Sequence, residues 1–74
     1  MPKLPVISGK ETIKKLEKLG YVVVRKKGSH VRLRQDDNPK LKPITIPLHK
    51  YLKFGLLRQI LKDANLTTED FIKL

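Results

Sequence analysis

YVVVRKKGSHVRLR, from Tyr21 to Arg34, is the stretch that decides the fold. Tyr21 to Lys26 is β-branched and aromatic at its start, a strand by composition. Lys27-Gly28-Ser29 supplies a turn, with glycine where a hairpin wants positive φ. His30 to Arg34 then alternates: Val31 and Leu33 point one way, His30, Arg32 and Arg34 the other. The hairpin so formed sets one imidazole among the cations of Arg25, Lys26, Lys27, Arg32 and Arg34.

Working outward, Ser8-Gly9-Lys10-Glu11 reads as a capping box, with the Ser8 hydroxyl accepting from the Glu11 amide and Glu11 reaching back. Ile13, Leu16 and Leu19 follow at three-residue spacing, and Gly20 stands where a left-handed helix end is wanted. The spacing predicts a short amphipathic helix over 9–19. Downstream, QDDNP (Gln35–Pro39) is a loop by turn chemistry. Lys42 to Ile46 reads as a third strand with Ile44 and Ile46 inward. Pro43 confines that strand to an edge or marks its beginning, and Pro47 closes the sheet. Leu57, Ile60, Leu61 and Ala64 fall at i, i+3, i+4, i+7, a second helix of about 53–64 that Asn65 can cap. Thr67 or Thr68 caps a final helical turn ending in Phe71, Ile72 and Leu74. The order is α-β-β-β-α plus a short C-terminal helix, an α+β fold with helices covering one face of a three-stranded antiparallel sheet. The other face is left to solvent or a ligand.

Seventy-four residues make one domain, 1–74, with a thin core. There is no internal repeat, linker or cysteine, so neither a disulfide framework nor a thiolate metal site is available. The longest strongly apolar run, Tyr21-Val22-Val23-Val24, is far short of the ~20 residues of a membrane span. MPKLPVIS lacks the apolar stretch of a signal peptide. A soluble, cytoplasmic protein without membrane contact is expected. The net charge is +10, and no acid occurs between Glu17 and Asp36 or between Asp37 and Asp63. Such a field points to nucleic acid, an acidic protein or anionic lipid. Lipid fits least, because no expected helix pairs a basic face with aromatic anchors. A basic surface kept only for solubility is the plain alternative.

Known catalytic inventories fall away one by one. The carboxylates are scattered rather than convergent, so a metal nuclease lacks its ligands, and His30 and His49 without cysteine make a poor zinc pair. No glycine-rich phosphate loop and no serine elbow is present. No cofactor or metal is expected. RNA, however, carries its own nucleophile, the 2′-hydroxyl. Its cleavage needs positioning, charge stabilisation and proton transfer, and a placed imidazole supplies the last at about 10²–10⁴-fold. His30 with Lys26, Lys27 and Arg32 is the minimum kit, and Arg34 shares the strand face of His30 and Arg32. Gly28 allows a phosphate to approach the turn, and Ser29 could bond it. An imidazole at the head of a strand is more often a bystander, so spacing alone leaves His30 open. His49, Lys50 and Lys53 are secondary candidates near the second helix, where His49 can equally pack or cap. Tyr21 and Tyr51 are isolated aromatics, too few to argue for base stacking.

The motifs in order resemble the HicA, or YcfA-like, family of toxins over nearly the whole chain. Gly20-Tyr21, Gly28-Ser29-His30, Pro47-Leu48-His49, Gly55, Arg58 and Ile60-Leu61 stand at the family's places. Leu56 stands where the family often has threonine, and Asn65 where glycine is usual; neither touches the Gly-Ser-His turn. The resemblance implies a double-stranded-RNA-binding-domain-like fold and a ribosome-independent mRNA endoribonuclease whose catalytic histidine maps onto His30. It also implies a HicB-type antitoxin covering the active surface. A non-catalytic module binding double-stranded RNA is the competing expectation.

Overall fold

The hairpin forms where the alternation places it. In the computed structural model, which describes residues 3–74, β1 (Val22–Lys27) and β2 (His30–Arg34) pair antiparallel, and Lys27 opposite His30 closes the pair. Met1 and Pro2, the start of the expected 1–74 domain, lie outside the described residues. The loop is therefore two residues, Gly28-Ser29, with Gly28 at φ +59, the conformation that the first central position of a tight hairpin demands. β3 (Ile44–Pro47) pairs antiparallel with β2, giving the sheet order β1-β2-β3. Pro43 immediately precedes β3, which is an edge strand, so the amide it lacks leaves no gap in the ladder.

Only the central strand and β3 bury a face. Val31 and Leu33 of β2 and Ile44 and Ile46 of β3 are buried, whereas every residue of β1 is exposed. The apolar run Val22-Val23-Val24 is thus not core: each valine is close to half exposed on an edge strand. The register shifts between Val23 and Arg25, leaving Val24 as an extra residue. That bulge twists the edge, one device that discourages unwanted strand pairing.

The helices seal the inner face. α1 (Gly9–Glu17) ends two residues sooner than its apolar spacing predicts, since the chain turns through Lys18 and Leu19 to Gly20 at φ +94. Ser8 caps it by accepting from the Glu11 amide at 3.1 Å. The expected return bond to the Ser8 amide is replaced: the Ser8 hydroxyl donates to the Glu11 carboxylate at 3.2 Å. α2 (Phe54–Asp63) buries Leu57, Ile60 and Leu61, and Asn65 takes φ +55 just beyond its end. α3 (Thr68–Lys73) starts at Thr67 through a complete capping box with Asp70. Of its apolar residues Phe71 enters the core fully, while Ile72 stays 44% exposed. Leu16, Leu57, Ile60 and Phe71 meet the sheet's four inner residues in one cluster. The architecture is α+β, consistent with the double-stranded-RNA-binding-like α-β-β-β-α order, and among the described residues the outer sheet face is open, with His30, Arg32 and Arg34 exposed on it.

Candidate nucleic-acid interface

The bare face is built by period-2 geometry. With Val31 and Leu33 committed inward, His30, Arg32 and Arg34 must stand outward, and all three are exposed. The register then selects their neighbours. Lys27 is opposite His30, and Arg25 is opposite Arg32, so both share the outward face. Cross-strand partners lie about 5 Å apart and alternate residues of a strand about 7 Å, so the four side chains rise from a small rectangle. Thr45, opposite Arg32 on β3, completes the group. Arg25, Lys27, His30, Arg32 and Thr45 line a shallow cleft of about 250 Å³ with no acid in its lining.

Arg32 is held rather than free. Its Nη1 donates to Thr45 Oγ1 at 3.0 Å, which aims the guanidinium toward β3. Arg34 is drawn away: its Nε donates to Asp36 at 2.7 Å in an exposed ion pair. Gly28 has nothing within 4 Å of where a Cβ would stand, so the turn is open to an approaching ligand. Ser29 is exposed, and its carbonyl accepts from the Leu48 amide at 2.7 Å, extending the β2–β3 ladder by one bond.

Not every candidate joins the cluster. Lys26 is opposite Val31, so its Cα–Cβ bond leaves β1 on the helix side, although the side chain is exposed. Lys27 and Arg25 hold the positions beside the imidazole. His49, Lys50 and Lys53 lie outside the cleft, on the exposed connection between β3 and α2. The His49 carbonyl accepts from the Gly9 amide at 3.0 Å, and a Cβ at residue 9 would overlap the Pro47 carbonyl oxygen. Close approach of α1 to this connection thus requires glycine. Arg25 and Thr45 are the residues that motif reading passed over. Both were legible in principle, Arg25 as the residue two before Lys27 and Thr45 as the outward residue between Ile44 and Ile46.

The arrangement gives one proton-transfer group, three cations and a hydroxyl on one open surface, a set suited to holding a phosphodiester. Among the described residues no three histidine or acidic side chains gather as a metal-binding group, and no helix is long and apolar enough to cross a membrane. A comparison with curated proteins finds no match. A family model described as the HicA toxin of bacterial toxin–antitoxin systems matches residues 9–66, from the first residue of α1 to just past Asn65. That span takes in the sheet, its cationic face and two of the three helices, and the chain belongs to the HicA toxin family.

Proposed function

We propose that this toxin is an endoribonuclease that cleaves mRNA in the cytoplasm with His30 as its general acid and base. The observation that carries the reading is the imidazole flanked by Lys27, Arg25 and Arg32 in an acid-free cleft. The neutral ring takes the proton from the RNA 2′-hydroxyl as that oxygen attacks the adjacent phosphorus. The bond from phosphorus to the 5′ oxygen breaks, and the imidazolium returns the proton to the leaving oxygen. The products are a 2′,3′-cyclic phosphate and a 5′-hydroxyl. Arg25, Lys27 and Arg32 stabilise the charge that grows on the phosphoryl oxygens. None of these steps calls for a metal. A HicB-type antitoxin would silence the enzyme by covering the open sheet face, where a surface with acidic groups meets complementary charge.

A single gel tests this: RNA and sequence-matched DNA, with and without EDTA, for the parent and His30→Ala. The parent should cut RNA alone and be indifferent to EDTA, and His30→Ala should bind RNA without cutting it. Cleavage by His30→Ala at the parent's rate removes the histidine from the mechanism. Loss of cleavage in EDTA overturns the metal-free route. Salt-sensitive RNA binding by the parent with no product at all leaves the non-catalytic RNA-binding module.

A further inference from the structure

The connection from β3 to α2 and the first residue of α2 display two aromatic rings that the sheet-face chemistry does not use. Tyr51 is 65% exposed and Phe54 51% exposed, and with Val6, Leu52 and Lys53 they line a second shallow cleft of about 210 Å³. Tyr51, isolated in the sequence, thus gains a companion from the start of α2. Leu52 between the rings is buried, and its amide donates to the Ile7 carbonyl at 2.9 Å. Together with the bond from Gly9 to His49, this straps the connection to the N-terminal segment and keeps the rings outward on a fixed backbone.

We infer that Tyr51 and Phe54 form a stacking subsite for an unpaired base of the RNA whose phosphodiester lies on the cationic sheet face. The inference rests on RNA being the ligand of that face, and three observations favour a base over a protein partner. The cleft is flanked by Lys50 and Lys53, in a stretch without acid from Lys40 to Lys62, so it suits a strand of phosphates. Its size is wrong for a protein interface: a stable one takes about 800 Å² and some 20–30 residues from each side, whereas one or two rings suffice for a base. Its position is also right. His30 is paired with Pro47, four residues before Tyr51. At most about 3.6 Å per residue plus about 5 Å across the ladder puts the two sites within about 20 Å. At about 3.4 Å per stacked nucleotide that is a handful of nucleotides. Duplex RNA keeps its bases inside, so the subsite selects single strands and biases where they are cut.

The test uses the full chain with a short unstructured RNA made uncleavable by 2′-O-methylation, alone or annealed to its complement. Tyr51→Ala and Phe54→Ala should each weaken single-strand binding about 5- to 150-fold, the range that loss of one base stack brings. Duplex binding should not change, and Tyr51→Phe should bind as the parent does. Abasic replacement along the strand should locate one position that costs the parent affinity and costs Tyr51→Ala nothing. Unchanged single-strand binding in both alanine variants overturns the subsite, as does equal weakening of single and double strands. Cleavage of unmodified RNA is scored separately. Ring-independent binding with cleavage intact sinks the subsite alone; ring-dependent binding without cleavage sinks the nuclease reading alone.

Discussion

Arg32 and Thr45 face each other across the β2–β3 ladder and are joined by a 3.0 Å bond from guanidinium to hydroxyl. That bond fixes where the guanidinium points, and Arg32 is one of the cations we propose to hold the phosphate. Thr45→Val keeps the β-branched shape and removes the acceptor. Cleavage should fall about 2- to 10-fold, the equivalent of one modest hydrogen bond. Stability should stay within about 0.5 kcal/mol, as is usual for an exposed site. Single-turnover cleavage beside a thermal melt separates the two. An unchanged rate would mean that Arg32 needs no guide.

The two faces of β1 give a sharper test. Arg25 and Lys27 share the outward face with His30, and Lys26 leaves the strand on the other side. Arg25→Gln and Lys27→Gln should each weaken RNA binding and lower the slope of log affinity against log salt by about one. Lys26→Gln should leave the rate of cleavage unaltered. If Lys26→Gln cuts as poorly as Lys27→Gln, the cationic cleft is not the productive surface.

These contrasts mark where sequence reading succeeds and where it stops. The outward trio of β2 was legible because two committed apolar residues, Val31 and Leu33, leave a five-residue strand only one orientation. The role of Gly20 and the start of α3 were legible for a similar reason, since caps are local chemistry. Val24 as the extra residue of a bulge was not legible, because three successive valines give no period to break. Nor was the meeting of Val6 with Tyr51 and Phe54, which depends on how the N-terminal segment is strapped to a distant connection. Pattern reports what a residue does within its own element. Contacts between elements need the fold.

Gly9 and Gly28 should respond differently to alanine. At Gly9 the added carbon overlaps the Pro47 carbonyl, which is backbone and cannot swing aside. The cost should reach at least about 1–3 kcal/mol, as in an overpacked core. At Gly28 there is space, and only the left-handed φ of +59 is penalised, at about 1–2 kcal/mol. Urea melts of both variants check the order. Gly9→Ala should also disturb the connection that carries Tyr51, visible as a change in tyrosine fluorescence, whereas Gly28→Ala should not.

Tyr21 links stability to alkaline pH. Burial, with the Asp63 charge as a smaller cause, pushes its phenol above the usual value near 10. Its hydroxyl also donates to the Lys42 carbonyl at 2.9 Å. A group whose folded pKa is raised contributes fully below its unfolded value and is lost as pH climbs through the folded one. The parent should therefore lose stability as pH rises beyond about 10. Tyr21→Phe should start about 1 kcal/mol lower at neutral pH and decline less steeply above it. Parallel alkaline limbs for the two proteins would show that another group governs that loss.

Lys15 ties the last helix to the first. Its Nζ donates to the carbonyls of Leu74 at 2.8 Å, Phe71 at 3.2 Å and Ile72 at 3.4 Å, and it lies 5.4 Å from the centre of the Phe71 ring. A cation at a helix C-terminus satisfies carbonyls that have no partner in the helix and complements its dipole. α3 has only six residues, too few to persist without tertiary support. Lys15→Met keeps an apolar stem over Phe71 and removes the charge. It should cost about 1 kcal/mol, which in a domain of this size lowers the melting temperature by about 4–8 °C. Lys14→Met, one residue away on the exposed side of α1, should change little. Amide exchange along α3 decides between a local and a global effect: with Lys15 replaced, the amides of Phe71 and Leu74 should exchange faster while those of β2 keep most of their protection. Equal melting of the two methionine variants would mean that the burial of Phe71 alone holds α3 in place.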